Sequence, residues 1–224
     1  STFSWYLGTD GKTPSNQYDL VSVVLHEITH GLGFLGSMTV SSGQGSWGMG
    51  TGLPVIYDRF TENGSSQKLI DTTLFPNPSA VLATQLLSGD IYFNGAYANA
   101  GNGGGRVPLY APSQWSGGSS YAHLAESYNN TANALMTYSL SFGESIHAPG
   151  PVTLGLLKDT GWALSNSNPI AFSDYNGDGR SDVIWHHETT GQVYGMLLDG
   201  YSLIQQGMVY TEPNIAWRIV GNGD

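Results

Sequence analysis

The residues with the clearest chemical potential lie near the start of the chain, in the segment His26-Glu27-Ile28-Thr29-His30. Residues four positions apart lie on one face of an α-helix, so the imidazoles of His26 and His30 can reach a single cation. Glu27 points away from that line and can accept a proton from a water molecule at the metal. Because the chain has only 6 histidines, chance rarely gives this spacing. The segment therefore predicts a zinc site with Glu27 as its general base.

The flanking residues predict the helix that such a site needs. Asp19 is a suitable N-cap for a helix over about Leu20–Leu32, and Gly31 and Gly33 favour its end. The helix is apolar on more than one side, which predicts that it is deeply buried. Two imidazoles and a carboxylate would cost free energy in such a helix without a metal. The alternative, a core helix with two incidental histidines, is therefore less favoured.

The pattern His26-Glu-x-x-His30-x-x-Gly33 resembles the metzincin clan of zinc metallopeptidases. In that clan the glycine lets the chain turn sharply beneath the zinc, and most members carry the third metal ligand three residues later. That position is Gly36 here, and a glycine has no side chain with which to bind a metal. The third ligand must therefore come from elsewhere in the chain.

Three residues are candidates for the third ligand. Glu62 lies at a distance that suits a thermolysin-like arrangement, but its neighbours in 60–64 predict an exposed turn. His147 lies in a loop close to Pro149. His123 is followed after a short interval by Asn133-Ala-Leu-Met-Thr-Tyr138. The residue types alone leave these alternatives open.

The combination of His123 and Met136 resembles the leishmanolysin-like branch of the metzincins, in which a long insertion precedes the third histidine and a methionine turn follows it. The insertion here runs over Ser37–Ala122. The resemblance covers roughly Phe3–Trp162, without the cysteines of the protozoan members. It implies that His123 is the third zinc ligand and that Met136 packs beneath the metal. The alternatives are a loop histidine without a role and an ordinary core methionine.

Tyr138 follows the methionine by two positions. Astacin-like and serralysin-like metzincins have a tyrosine there that reaches the zinc or stabilises an oxyanion, which implies a catalytic role for Tyr138. With 13 tyrosines in the chain, a packing role is the alternative.

The remaining elements of residues 1–163 predict an α+β fold, a metzincin-like catalytic domain with a small sheet, the active-site helix and a C-terminal helix. Few residues precede the first helix, so either part of the catalytic domain is absent from this sequence or the sheet before the helix is unusually small. The sequence indicates strands at Thr2–Leu7 and Ile91–Phe93, a helix with Pro78 as first residue that covers Ala80–Leu87 and ends at Gly89, and a last helix from about Pro151 to Gly161.

The chain changes character after this domain. Leu164–Pro169 is polar and ends in proline, which predicts a linker. Residues 170–224 predict a small all-β repeat module, with strands at Val183–Trp185, Val193–Leu198 and Ala216–Val220.

An acidic loop in this module predicts a calcium site, because oxygen-bearing side chains stand at alternate positions with glycines between them. The loop resembles those of FG-GAP or VCBS-type repeats. The resemblance implies that the ligands are the side chains of Asp174, Asn176, Asp178 and Asp182 and the carbonyl of Arg180. An EF-hand is the weaker interpretation, since Trp185 stands where the closing glutamate would be; a polar turn without metal is the other alternative.

The end of the chain indicates what the module contacts. Asp224 can begin a second such loop, which would give a repeat period of 224 − 174 = 50 residues. One repeat cannot fully bury its own face, so we expect that further repeats are missing from the sequence or that the module packs on the catalytic domain. Trp185 and Trp217 are interpreted as core residues, with a platform for carbohydrate contact as the alternative.

Composition excludes several classes of partner. The 7 basic residues against 17 acidic ones give a net charge of −10, which argues against nucleic acid. No apolar run is long enough for membrane insertion.

The absence of cysteine excludes disulfides and thiolate ligands. The first residues lack the features of a signal peptide, so we interpret the chain as a processed mature form or an excerpt of a precursor.

Together these features predict a secreted, bacterial zinc endopeptidase that acts on protein or peptide substrates and is stabilised by calcium. A second hypothesis is an adhesin or lectin-like binding module with a vestigial peptidase domain, and a third is a zinc enzyme that acts on a non-peptide bond. The presence of Glu27 favours catalysis, because a binding scaffold does not need it.

Overall fold

The computed structural model describes residues 4–164, 175–176, 178, 180–200, 202–214 and 216. The chain divides into two compact units, 1–164 and 165–224, and the division falls within the predicted linker. Residues 165–169 of that linker, and all of the predicted strand at 216–220 except Ala216, lie outside the described residues.

Short helices and strands alternate with long loops in the N-terminal unit, which makes it a mixed α and β structure. Its helices are α1 (Leu20–Gly31), α2 (Ala80–Leu86), α3 (Ala96–Gly101) and α4 (Gly150–Asp159). Its strands are β1 (Trp5–Tyr6), β2 (Tyr18–Asp19), β3 (Thr39–Ser41), β4 (Gln44–Ser46), β5 (Thr61–Asn63), β6 (Ile91–Phe93) and β7 (Val107–Pro108). None of the described helices has the length and hydropathy needed to cross a lipid bilayer.

The strands form three small sheets rather than one large one. β1 and β2 pair in parallel, β3 and β4 form an antiparallel hairpin, and β5, β6 and β7 form an antiparallel sheet in that order. The strand predicted at Thr2–Leu7 is therefore only two residues long within the described range, whereas Ile91–Phe93 is confirmed.

Helix α1 begins where the sequence predicts. Its N-cap, Asp19, accepts hydrogen bonds from the backbone N–H of Ser22 (2.7 Å) and from the hydroxyl of Thr13 (3.0 Å). The helix ends before Gly33, whose φ is +110°. Glycine adopts this positive φ readily, and the conformation lets the chain turn. Near the C-terminal end of the unit, the indole N–H of Trp162 donates to the carbonyl of Leu32 (2.6 Å), so the end of α1 is held from far along the chain.

The expectation that α1 is deeply buried is wrong. Val24 is 46% exposed and Ile28 is 52% exposed, and the buried residues of the helix are Ser22 and Thr29. One side of the helix packs on the core through Leu25. The side chains of Val24 and Ile28 on the helix therefore remain largely at the surface.

The core of the unit is built largely from the segment predicted to be a loop-rich insertion. Aromatic rings in contact form its centre, with Tyr57 5.6 Å from Phe34, 5.3 Å from Phe93 and 5.5 Å from Tyr121 between ring centroids. Buried aliphatic residues from α2 and α4 surround this centre. The insertion therefore gives the unit most of its apolar packing.

Two helices in the middle of the unit differ from the prediction. Helix α2 starts at Ala80 rather than Pro78, because the side chain of Ser79 accepts from the backbone N–H of Leu82 (3.0 Å) and acts as N-cap. Helix α3 was not predicted. Its first N–H groups donate to the carboxylate of Asp159 at the end of α4, at 3.1 and 2.8 Å, a cap that no neighbouring residue reveals.

Glu62 is not in an exposed turn. It lies in β5 and is 2% exposed, with its carboxylate 2.9 Å from the guanidinium of Arg106 and 3.1 Å from the ammonium of Lys68. The amide of Asn94 donates to the same carboxylate (3.0 Å). Arg106 and Asn94 are distant in sequence, and Lys68 forms an isolated β-bridge with Glu62; together these partners offset the cost of burying the carboxylate.

The described part of the C-terminal unit is an antiparallel sheet of β8 (Val183–His186), β9 (Gln192–Asp199) and β10 (Ser202–Thr211), with β9 in the middle. The first two strands agree with the prediction. The third was missed because its register shifts twice, between Leu203 and Gln205 and between Met208 and Tyr210, which breaks the alternation of side chains that marks a strand.

The environment of Glu62 makes the stability of the fold depend on acid pH. Burial acts to raise the pKa of Glu62, but the hydrogen bond from Asn94 and the pairs with Arg106 and Lys68 outweigh it and lower the pKa below 4.5. The unfolded chain is therefore protonated first as the pH falls. The stabilisation is complete above the unfolded pKa and is lost as the pH drops through the folded pKa.

We expect Glu62→Gln to lower the free energy of unfolding at pH 7 by about 3 kcal/mol. Below pH 4.5, the ordinary pKa of a glutamate, the free energy of unfolding should fall less steeply in the variant than in wild type. Urea unfolding at a series of pH values measures both effects. Glu144→Gln, at a surface turn, is the matched control; a pH profile of Glu62→Gln that parallels wild type would contradict the assignment.

Candidate metal centre

Three imidazoles converge at one end of α1. The Nε2 atoms of His26 and His30 are 3.0 Å apart, and the Nε2 atom of His123 lies 3.1 Å from the first and 3.2 Å from the second. His26 and His30 are one helical turn apart on α1. His123 directly precedes Leu124, and Leu124 forms isolated β-bridges with Leu109 and with Thr137. The structure thus brings together the three histidines that the sequence analysis assigned to the metal.

Each imidazole is fixed by a hydrogen bond on its other nitrogen. The Nδ1 atom of His26 lies 2.7 Å from the carbonyl oxygen of Leu135, and that of His30 lies 2.7 Å from the carbonyl of Phe34. The Nδ1 atom of His123 lies 2.8 Å from the carbonyl of Ser119. Because a carbonyl only accepts, Nδ1 carries the proton in each neutral ring, and the three Nε2 lone pairs face one another.

This arrangement fits a metal ion. Three lone pairs at 3.0–3.2 Å repel one another unless a cation lies among them. Nitrogens at tetrahedral positions around one zinc ion stand about 3.3 Å apart, given a Zn–N distance of about 2.0–2.1 Å. A search of the described residues for histidine and acidic side chains close enough to hold one ion finds the group His26, His30 and His123.

The surroundings of His26 and His123 favour the neutral imidazole, which is the form that binds a metal. Burial lowers the pKa of His26. Burial, and then the neighbouring charge of His30, lowers the pKa of His123 to about 4, and its side chain is 4% exposed.

Glu27 lies beside this group but faces outward. It is exposed, follows His26 in α1 and borders two cavities. One cavity lies against His26 and the other against His30. A carboxylate in this position is accessible to solvent and to a substrate while it remains next to the metal ligands.

The predicted methionine turn also adjoins the centre. Met136 is fully buried in a 3₁₀ helix over Ala134–Met136. The carbonyl of Leu135 accepts from His26, and the carbonyl of Met136 accepts from the backbone N–H of Leu124 (2.8 Å), next to His123. The turn therefore connects two of the three ligands through its backbone.

Tyr138 lies on the wall of the cavity that adjoins His26 and Glu27. Its ring stacks on that of Tyr110 with 4.4 Å between centroids. A hydrogen bond to Glu126, together with the charge of that carboxylate, raises the pKa of Tyr138. The groups that act on the hydroxyl of Tyr138 are thus Glu126 first and Tyr110 second.

Gly36, the position at which most metzincins carry the third ligand, has a different role here. A Cβ at Gly36 would come within 2.0 Å of the ring of Tyr121. The absence of a side chain at Gly36 thus makes room for Tyr121, which stands two residues before His123. The tyrosine was not singled out by the sequence, since its partner is remote along the chain.

Tyr121 is held in an uncommon backbone conformation by a buried network. Its φ is +73°, a value that costs free energy in a bulky residue and persists only where the surroundings enforce it. Its hydroxyl donates to Asp58 (2.9 Å), which is fully buried and also accepts from the backbone N–H groups of Ser37 (2.9 Å) and Val55 (3.0 Å). The hydroxyl of Tyr57 donates to the Tyr121 carbonyl (3.0 Å). This network fixes the backbone from which His123 projects.

The other two candidates for the third ligand are engaged elsewhere. The Nε2 atom of His147 lies 2.8 Å from the carboxylate of Asp19 at the start of α1. Glu62 is buried in its ion pairs with Arg106 and Lys68. Neither belongs to the histidine group.

The predicted calcium loop is described only in part. Asp174 and Trp217 lie outside the described residues. The amide of Asn176 donates to Asp178 (3.0 Å), and Asp178 in turn accepts from the backbone N–H of Arg180 (2.9 Å). The buried carboxylate of Asp182 accepts from the backbone N–H groups of Tyr175 and Leu198 (both 2.9 Å), which ties the loop to β9. The side chain of Arg180 pairs with Asp199 (2.8 Å), and that of Trp185 is about half exposed.

Comparison of the chain with models of protein families, with curated proteins and with solved structures gave no match. The assignment of the site therefore depends on the geometry of its own residues.

We expect Tyr121→Phe to weaken zinc binding about tenfold, because it removes the hydroxyl that anchors the backbone next to His123. Competition with a chromophoric chelator measures the Kd. Tyr128→Phe is the matched control, since it removes another buried hydroxyl, which donates to Asn102 (2.7 Å) away from the histidines. Equal loss of zinc affinity in both variants, or none in Tyr121→Phe, would show that Tyr121 does not position the ligand.

Proposed function

We propose that the chain is a zinc-dependent endopeptidase. The observation that carries the proposal is the convergence of three Nε2 atoms within 3.2 Å, with each Nδ1 bonded to a carbonyl, beside the exposed carboxylate of Glu27. Structural zinc sites are closed by four protein ligands, whereas three ligands next to a free carboxylate are typical of hydrolytic sites.

The donor set favours zinc over calcium and magnesium. It consists of imidazole nitrogens alone, without the oxygen ligands that calcium and magnesium prefer, and the chain has no cysteine. When bound, zinc supplies Lewis acidity, which polarises a carbonyl oxygen and makes water a nucleophile at neutral pH.

Glu27 would carry the proton in hydrolysis. Its carboxylate accepts one proton from the attacking water, and the hydroxide oxygen forms a bond to the carbonyl carbon of the substrate. Glu27 then gives the proton to the amide nitrogen as the C–N bond breaks, so that a carboxylic acid and an amine leave. The position of Glu27 on α1, exposed and one residue from His26, supports this role.

Tyr138 is the candidate for polarising the carbonyl oxygen of the substrate. Its raised pKa keeps the hydroxyl protonated at neutral pH and able to donate. Because this hydroxyl is bonded to Glu126, such a role requires it to exchange that carboxylate for the substrate oxygen.

Protein and peptide substrates suit the open form of the site. Cavities lie against the site on both sides of Glu27, so an extended chain can pass the carboxylate without being enclosed.

We propose that the enzyme acts outside a bacterial cell, in keeping with a surface rich in uncharged polar residues and with 11% charged residues in the chain.

For the C-terminal unit we propose a calcium-bound loop of the FG-GAP or VCBS type as a stabilising element. Its support is the placement of the oxygen-bearing side chains of Asn176 and Asp178 beside each other, in a loop that Asp182 ties to the sheet.

We expect Glu27→Gln to keep the zinc content of wild type and to lower kcat on casein by roughly 10²- to 10⁴-fold, because the amide cannot accept the proton. Glu188→Gln in the C-terminal unit is the matched control and should retain turnover. Phenanthroline should abolish wild-type cleavage, and added zinc should restore it. Cleavage that survives chelation, or full turnover in Glu27→Gln, would contradict the proposal.

We expect calcium to raise the melting temperature of the C-terminal unit in the intact chain, since an ion that binds only the folded form stabilises it. Calorimetry in the presence of calcium or of a calcium chelator measures the shift, and magnesium is the control ion. Asp178→Ala should remove the response. A transition that does not move with calcium would favour a polar turn without metal.

A further inference from the structure

We propose that the cavity on the His30 side of the metal centre is a pocket for a bulky aromatic side chain of the substrate, next to the cleaved bond. The proposal rests on the proposed peptidase function and adds a substrate preference to it. Trp115 is the residue that we assign as its main determinant.

The two cavities lie toward opposite ends of α1. The first, of about 150 Å³, adjoins His26 and includes Val23 and Ile146; we call it the His26 cavity. The second, of about 370 Å³, adjoins His30 and includes Leu35 and Trp115; we call it the His30 cavity. Glu27 borders both. Because the cleaved bond must lie next to Glu27, the residues on its two sides come next to different cavities.

Part of the wall of the His30 cavity is apolar and suits an uncharged ring, while Thr39 and Ser120 contribute polar surface. Leu35, Met38 and Trp115 contribute apolar surface, and Glu27 is the charged residue among those that line it. The hydroxyl of Tyr121 is bonded to Asp58 and lies 2.8 Å from the hydroxyl of Thr61, so this tyrosine presents ring carbons to the cavity. The negative charge of Glu27 disfavours an acidic side chain at the same place.

Glycines keep the His30 cavity open. A Cβ at Gly36 would strike the ring of Tyr121, and this position therefore stays free of a side chain. Gly117 and Gly118 also line the cavity, and a Cβ at either would meet nothing within 4 Å. The cavity thus has space where side chains would normally fill it.

The volumes separate the two cavities by the size of side chain they accept. A protein cavity of about 150 Å³ holds one benzene ring. The His26 cavity has that size and suits an aliphatic residue or a single ring. The His30 cavity, at about 370 Å³, has room for an indole or a phenol and lies within the range of ligand sites. Trp115 is half-buried and packs against the core, so its ring is a preformed surface for stacking.

The test uses the intact, zinc-loaded chain and a peptide library whose cleavage sites are mapped by mass spectrometry. We expect Trp, Tyr and Phe to exceed Ala at one flanking position by about tenfold or more in kcat/KM. Trp115→Ala should reduce this preference to about threefold or less. Ile146→Ala, in the His26 cavity, should leave it intact and change the preference at the other flanking position. Trp115→Leu keeps an apolar side chain against the core and should show the same reduction of the aromatic preference. This variant controls for a loss of preference that is caused by misfolding.

Binding provides a readout that does not need turnover. In the Glu27→Gln background, fluorescence anisotropy should show that a peptide with Trp at the selected position binds about tenfold more tightly than its Ala counterpart, and that Trp115→Leu removes the difference. Cleavage without preference for a ring, or a preference that survives both Trp115 variants, would overturn the pocket. Absence of cleavage by the zinc-loaded wild type would overturn the peptidase function instead, and Trp115-dependent binding would then still support the pocket.

Discussion

Three hydrogen bonds between imidazole Nδ1 atoms and main-chain carbonyls are the interaction on which the rest of this structure depends. They orient His26, His30 and His123 so that their unprotonated nitrogens meet within 3.2 Å. Three acceptors at this distance repel one another, and burial lowers the pKa of His26 and of His123, which disfavours relief of the repulsion by protonation of these two rings. The fold thus maintains an unfavourable contact that a cation converts into a favourable one.

The three carbonyls come from three separate parts of the chain, and much of the N-terminal unit serves to hold them. Phe34 follows the turn at Gly33, Leu135 belongs to the 3₁₀ helix, and Ser119 lies near the end of the long insertion. The insertion is therefore the structural support of the third ligand, through the core around Tyr57 and the buried network of Asp58. A sequence that looks like loop can still fill a core when its aromatic residues contact one another rather than their neighbours in the chain.

The sequence predicted features that short segments determine. The start of α1 at Asp19, the last helix of the unit and the first two strands of the C-terminal unit all depend on local caps and patterns. Features that depend on distant partners were missed or wrong, as α3 shows with its cap from Asp159 and Glu62 with its pair to Arg106. For the site, spacing paired His26 with His30, whereas the choice of His123 needed the resemblance to a family. The contact between Gly36 and Tyr121 gave no signal that one sequence could reveal.

The bond between the indole of Trp162 and the carbonyl of Leu32 has a consequence for how the polypeptide can be divided. It connects the C-terminal end of α1, which carries His26 and His30, to the final residues of the N-terminal unit, just before the polar stretch that begins at Leu164. Proteolytic removal of the tail beyond that stretch would leave this hydrogen bond and the Asp159 cap in place. A cut between Asp159 and Trp162 would remove the hydrogen bond alone, and a cut before Asp159 would remove both. Loss of the C-terminal unit therefore leaves both contacts of the histidine-bearing half of the chain intact only when the chain is cut on the C-terminal side of Trp162.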